Sequence, residues 1–73
     1  MTIKEVVVAR VTALLTERSI RPVELARRAS LTPSTVYSFL DPKRREATIN
    51  VIQKICEGLD MSVAEFFDDE MFK

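Results

Sequence analysis

The stretch that decides the fold is ELARRASLTPSTVYSFLDPKRR, residues 24–45. In its middle, Thr32 is followed by Pro33, which is a typical helix start. The hydroxyl can cap an unpaired amide, and proline lacks the amide that would be unpaired at the first helical position. Pro42 disfavours helical geometry in the residue before it, so this helix must end there. The stretch predicts a short helix over about residues 33–40, with a second short helix before it and a basic loop after it.

Start signals of the same kind occur at four other places along the chain. Two capping boxes begin at Thr2 and Ser62, Thr48 can cap a further helix, and Pro22 suits a first helical position. Between these signals, apolar residues recur at three- and four-residue steps. The apolar residues expected to face the core include Ile3, Val23, Ile49 and Val63. The predicted fold is all-α, one domain over residues 1–73 with five short helices at about 3–18, 22–29, 33–40, 48–59 and 62–70.

The charge of the chain is distributed unevenly, although eleven basic and eleven acidic residues cancel. Residues 21–45 carry six basic and two acidic side chains, a net charge of +4. From Glu57 to the last residue, six acidic side chains and one basic side chain give −5. A concentrated positive segment is typical of a surface that binds an anion, although such residues also occur as ordinary solvated surface.

Composition argues against most other classes of function. The chain has no histidine and one cysteine, Cys56, so a zinc site has too few soft ligands. It also lacks the residue patterns of a catalytic site or of a phosphate-binding glycine loop. We therefore expect no enzyme activity, no cofactor, no metal and no small-molecule ligand. The lone thiol, and the lack of a signal peptide or a long apolar run, indicate a cytoplasmic protein without a membrane partner.

Two segments carry a family pattern. The first holds ELA at 24–26, ASLT at 29–32 and STVYSF at 34–39, and the second is ICEGLDMS at 55–62. They resemble the lambda-repressor/Cro-like (XRE-like) helix-turn-helix DNA-binding family, over essentially the whole chain. The resemblance implies a helix-turn-helix at 22–40 and a transcriptional regulator that binds double-stranded DNA. It further implies a homodimer on a two-fold operator, with the third helix in the major groove.

The resemblance also assigns residues to the DNA interface. The outer face of the third helix is expected to face the bases, with Pro33, Ser34, Thr35, Tyr37 and Ser38. Phosphate contacts are expected around this helix, from Arg21, the backbone amides of Val23 and Glu24, and the loop residues Lys43, Arg44 and Arg45. Tyr37 could instead pack on a neighbour through its ring.

The chain departs from the family pattern in three ways. Ser30 stands where the family usually has glycine, so it is expected to be left-handed at a cost of roughly 1 kcal/mol. Pro42 replaces a second glycine, and because proline cannot take positive φ the loop must leave the third helix along a different path. Leu15 and Leu40 stand where the family often has an Arg–Glu ion pair, which predicts a core contact in its place.

The C-terminal end is predicted to form the dimer interface. Phe66 is expected to turn inward, whereas Phe67, Met71 and Phe72 exceed what one short helix can bury and are left to face a partner. The alternative is that this tail folds back on the first helix of its own chain, against Val6 and Val8.

A second function stays open on the sequence alone. The outer face of the third helix lacks Arg, Gln, Asn and Lys, the side chains that make bidentate contacts to bases. Such a domain could bind DNA with modest specificity, or it could serve as a protein-interaction or antitoxin-type adaptor with weak or no specific DNA binding.

Overall fold

Helices account for all of the regular structure in the part of the chain that the structure describes. The computed structural model describes residues 2–44 and 47–73. The elements are α1 (Ile3–Arg18), α2 (Pro22–Arg28), α3 (Pro33–Leu40), α4 (Ile49–Gly58), α5 (Val63–Phe67) and a 3-10 helix (Glu70–Phe72). The predicted all-α fold with five helices is confirmed. Among the described residues, none of these helices has the length and apolar character needed to cross a membrane.

α5 is shorter than predicted, because it ends at Phe67 instead of continuing to residue 70. Asp69 has extended backbone angles, φ −151° and ψ 150°, which interrupt the helical hydrogen bonds. Its carboxylate accepts a hydrogen bond from the amide of Met71 at 3.1 Å and starts the 3-10 turn. A local side-chain bond of this kind competes with helix continuation, which is the physical reason for the difference.

Four helices begin with the predicted hydroxyl cap. The side chains of Thr2, Thr32, Thr48 and Ser62 each accept the amide three residues later, at 3.2, 3.2, 3.2 and 3.0 Å. The caps at Thr2 and Ser62 are complete capping boxes, in which the following glutamate also accepts the cap's own amide. Only local residues take part in these caps, so the sequence could specify where each helix begins. α2 differs, because Arg21 at its cap position makes no side-chain hydrogen bond to it.

Three helices end with the same left-handed turn. Ser19, Ser30 and Asp60 have φ of 56°, 56° and 54°. The residue after each one donates its amide to the carbonyl five positions earlier, which is a Schellman motif. These hydrogen bonds join Ile20 to Leu15 at 2.9 Å, Leu31 to Ala26 at 2.9 Å and Met61 to Cys56 at 3.0 Å. The apolar residue that follows each turn packs against the core. The predicted left-handed conformation of Ser30 is confirmed.

The core joins the inward faces of the first four helices to one ring of α5. Its buried members are Val7, Val11, Leu14, Leu15, Leu25, Ala26, Ala29, Val36, Phe39, Ile55, Cys56, Leu59 and Phe66. Leu40 is half-buried and packs against the same cluster as Leu15. Apolar packing at Leu15 and Leu40 therefore stands in place of an ion pair, as predicted.

Four residues expected to face the core are instead exposed. The exposed fractions of Ile3, Val23, Ile49 and Val63 are 68%, 53%, 81% and 44%. Ile3, Ile49 and Val63 are each the first residue of a helix, and the core buries only later turns of these helices. At about 100° per residue, Val23 lies about 110° around α2 from the middle of the stripe formed by Leu25 and Ala26. Short helices thus bury fewer of their apolar residues than the spacing suggested.

Gly58, the only glycine in the chain, lets α4 lie close against the end of α2. A Cβ atom on Gly58 would lie 3.0 Å from the backbone nitrogen of Ala29 and 3.1 Å from its Cα and Cβ. Ala29 is buried, and backbone atoms cannot move aside as a flexible side chain would. Glycine is needed here for space, since its backbone is not in the left-handed region.

Replacing Gly58 with alanine should lower the free energy of unfolding by about 1 kcal/mol. Overpacking costs about 1–3 kcal/mol, and the better helix propensity of alanine returns about 1 kcal/mol or less at a helix end. Urea denaturation of Gly58→Ala measures the difference. Gln53→Ala, at an exposed position of the same helix, is the control and should change stability by less than about 0.5 kcal/mol. A Gly58→Ala domain more stable than the parent would contradict the close contact.

Candidate nucleic-acid interface

The third helix has one face in the core and one face in solvent. Val36 and Phe39 are buried, which fixes the rotation of α3 about its axis. Pro33 and Ser34 are exposed on the opposite side, and Tyr37 has more than half of its surface in solvent. This arrangement leaves a short polar helix face available to a groove of DNA.

Thr35 and Ser38 are half-buried and stand at the edge of the exposed face. The hydroxyl of Thr35 lies 2.9 Å from that of Thr32, the residue that caps the helix. The Thr35 hydroxyl therefore already has a partner within the helix start, whereas Ser34 lies on the exposed side.

An open groove of about 670 Å³ runs beside α3. Thr35 and Ser38 lie on one side of it, and Lys43 and Arg44 line it from the loop that follows α3. Its remaining wall comes from the start of α4, including the cap Thr48. The structure thus brings two sets of predicted site residues, the hydroxyls of α3 and the cations of the loop, to one surface.

The loop cations are carried by an ordered turn, residues 41–44, which we call the basic turn. The Asp41 carboxylate accepts the amide of Lys43 at 2.9 Å, and its backbone carbonyl accepts the amide of Arg44 at 3.1 Å. The ammonium group of Lys4 donates to the carbonyl of Arg44 at 2.7 Å. Lys43 and Arg44 are both exposed. Arg45, the third predicted phosphate contact of this loop, lies outside the described residues.

The start of α2 offers a second place for a phosphate. The amides of Val23 and Glu24 lie in the first helical turn, where backbone donors have no partner within the helix and the helix dipole favours an anion. Arg21 is exposed at the cap position but lines a different groove, of about 430 Å³, together with Pro22. Arg21 is therefore separate from the groove that contains the basic turn.

Glu24 contributes an amide to this surface, but its side chain is already engaged. Its carboxylate accepts hydrogen bonds from Arg27 at 3.0 Å and from Arg28 at 3.1 Å. These bonds, first that of Arg27 and then that of Arg28, lower the pKa of Glu24. The carboxylate stays charged and offsets two arginines. Glu24, Arg27 and Arg28 are three and four residues apart on a helix, a spacing that places side chains next to each other. The sequence-based prediction did not use this spacing.

Comparison with known proteins identifies the family of the chain. Residues 10–71 match the family model described as the Cro/C1-type HTH DNA-binding domain. The chain belongs to this family. A solved structure titled "Crystal structure of the prophage Lp1 protein 11" is similar over 100% of this chain and 96% of that chain, with 30% sequence identity and a TM-score of 0.86. A search of curated protein sequences gave no significant match. The resemblance predicted from the sequence is confirmed.

Three basic residues of this Cro/C1-type domain have structural roles that the sequence pattern did not predict. Arg10 donates to the carbonyl of Phe66 at 2.8 Å and to the carboxylate of Asp69 at 3.2 Å. Arg18 donates to the carbonyl of Leu59. Lys4 is buried and shares the register of the buried apolar residues of α1, a spacing that could have identified it. All three tie α1 to distant parts of the chain.

The C-terminal tail of the domain lies against its own α1, through the contacts of Arg10. Phe67 and Phe72 are half-buried and pack against the core, with ring centroids 4.9 Å apart, and the Phe66 and Phe67 centroids are 5.0 Å apart. Met71 has 40% of its surface exposed. Much of the predicted dimer interface is thus used within one chain, as the fold-back alternative expected, and its contact with a second copy stays a prediction.

Proposed function

We propose that this Cro/C1-type domain is a transcriptional regulator that inserts α3 into the major groove of double-stranded DNA, in the cytoplasm. One observation carries the proposal: Thr35 and Ser38 of α3 and the cations Lys43 and Arg44 line one groove. A helix in the major groove needs base contacts along its exposed face and phosphate contacts on the flanking backbone. The two kinds of residue stand next to each other here.

Local charge supports DNA binding despite the neutral total. Each phosphate that a lysine or arginine neutralises releases condensed counterions, so affinity depends on the cations at the contact. Lys43 and Arg44 are exposed on the basic turn, Arg21 is exposed at the start of α2, and the neighbouring amides add partial positive charge. The acidic side chains from Glu57 onward lie on other elements of the fold.

Sequence preference in this proposal is modest. Ser34 and Ser38 can each form hydrogen bonds to a base edge, but neither can make the bidentate contacts of Arg or Asn. Tyr37 adds an exposed ring and a hydroxyl to the same helix. The domain is therefore expected to combine strong phosphate binding with limited discrimination among sequences.

Changing Ser34 or Ser38 to alanine should alter which sequences are preferred more than it alters affinity for unrelated duplex. Loss of one base contact is worth about 1 kcal/mol of discrimination at the lower end of the usual range. Selection of bound sequences from a random duplex pool, with parent and variants in parallel, measures the preference. Thr12→Ala, which removes the hydroxyl of an exposed residue of α1, is the control. An unchanged preference in both serine variants would place base reading elsewhere.

The adaptor function is the second candidate, favoured by the absence of bidentate base-reading side chains on the exposed face of α3. Titration with a duplex of unrelated sequence at rising salt separates the two functions. Binding at low salt that weakens steeply as salt rises supports the regulator. No binding to any duplex at low salt would favour the adaptor.

We also propose that two copies act together on DNA. One short helix reads only a few base pairs, so two domains would occupy half-sites about one helical turn, roughly 34 Å, apart. Met71 stays available for a second copy, and the exposed Ile3 and Ile49 offer a further apolar surface. Phe67 and Phe72 could contribute only the parts of their rings that the core leaves open.

Sedimentation equilibrium at high micromolar concentration should give twice the monomer mass. Met71→Asp or Ile49→Asp should return the monomer, because an aspartate desolvated in an apolar contact is costly. Both side chains are exposed, so these variants leave the core intact, unlike Phe67→Asp or Phe72→Asp. Gln53→Asp is the control for added charge. A parent protein that sediments as a monomer would contradict a preformed dimer.

A further inference from the structure

Lys4 is the one charged residue that is buried among the described residues, with 5% of its surface exposed. A buried ammonium group is costly unless hydrogen bonds replace its water. Its position on α1, in register with Val7 and Val11, places it at the edge of the core and not in solvent. A lysine at such a position can donate hydrogen bonds that an apolar residue could not.

The partners of Lys4 belong to the DNA-binding surface. Its ammonium nitrogen donates to the carbonyl oxygen of Arg44 at 2.7 Å, across 40 positions of sequence. The same nitrogen lies 5.4 Å from the ring centroid of Phe39, the buried aromatic residue of α3, within the range of a cation–π contact. One side chain of α1 thus touches both the basic turn and the helix beside it.

Asp41 supplies the local hydrogen bonds of the basic turn. It fixes the shape of the turn through bonds to residues two and three positions later. These bonds hold the turn in shape, and the amide of Asp41 donates to the carbonyl of Ser38 at 3.2 Å, which joins the first residue of the turn to α3. The bond from Lys4 holds the last residue of the turn, Arg44, relative to α3, because α1 and α3 are both anchored in the core.

We propose that Lys4 is a positioning residue for phosphate binding. It holds the backbone of Arg44 so that the side chains of Lys43 and Arg44 stand beside the exposed face of α3. Lys4 itself touches no phosphate, because its ammonium group is buried against Arg44 and Phe39. The inference rests on the proposed DNA-binding function and adds to it a residue outside the helix-turn-helix.

A double-mutant cycle tests this role. Lys4→Met keeps the length and the apolar stem of the side chain but removes the donor. The second change is the pair Lys43→Ala and Arg44→Ala. The measured quantity is the affinity for a duplex of unrelated sequence at several salt concentrations. The slope of log affinity against log salt reports the number of phosphate contacts, because each contact contributes about 0.9 to its magnitude.

Lys4→Met should flatten this slope by about one unit in the parent, as at least one phosphate contact is lost. In the Lys43→Ala, Arg44→Ala background it should change the slope by less than about 0.3, because the two cations that Lys4 is proposed to position are absent. An equal change in both backgrounds would mean that Lys4 acts through its own charge or through stability, which overturns the proposal. An unchanged slope in the parent background overturns it too.

Two controls separate positioning from general destabilisation. Val11→Ala weakens the core on the same helix without touching the basic turn. At a temperature where circular dichroism shows that this variant is folded, its salt slope should equal that of the parent. Lys4→Arg keeps the charge, and an open groove of about 510 Å³ beside Lys4, bordered by Pro42 and Arg44, has room for the larger group. Lys4→Arg should retain the parent slope, and a slope as low as that of Lys4→Met would contradict the proposal.

The cycle does not depend on one variant. If Lys4→Met does not fold, Lys4→Gln replaces it, since its amide is one bond shorter and does not reach the Arg44 carbonyl. A parent protein that binds no duplex would refute the proposed function together with this inference. If the parent binds duplex but Lys4→Met and the loop changes have additive effects on the slope, only the positioning role of Lys4 is refuted.

Discussion

The rest of the structure depends on the packing of α2 against α3. Leu25 and Ala26 of α2 meet Val36 and Phe39 of α3 in the core, and all four are buried. Small residues on α2 allow close approach, and the left-handed Ser30 turns the chain sharply between the two helices. Because this contact uses one face of α3, the opposite face must point to solvent. The candidate DNA surface is a consequence of how the core is filled.

Features set by neighbouring residues were predictable, and features set by distant ones were not. The caps at Thr32 and Ser62 act within three residues, so the sequence located both helix starts. Val23 lies about 110° from the buried stripe of α2, and Ile49 is the first residue of α4. How much of each short helix the core covers depends on the packing of the other helices, which spacing along one helix does not contain. The bond from Lys4 to the basic turn spans 40 residues, and only its apolar register gave a local sign of burial.

The candidate site, too, could be predicted from the sequence only in part. The family pattern identified α3 and the basic turn, and the structure adds how they are joined. It also shows that Glu24 engages Arg27 and Arg28, which reduces the charge that these arginines offer to DNA. Exposed pairs of this kind add little stability, so their main effect is on the electrostatic potential of the surface.

Cys56 is buried in the core, and burial raises the pKa of its thiol, which disfavours the reactive thiolate.

We propose that α3 and the basic turn form one surface that binds DNA. The test is to record the amide chemical shifts of ¹⁵N-labelled protein while a short duplex of unrelated sequence is added. We expect the largest changes at Ser34, Lys43 and Arg44 and at the first amides of α2, while α5 and the 3-10 helix stay nearly unchanged. Changes confined to α5 and the 3-10 helix, with α3 and the basic turn unaffected, would contradict it.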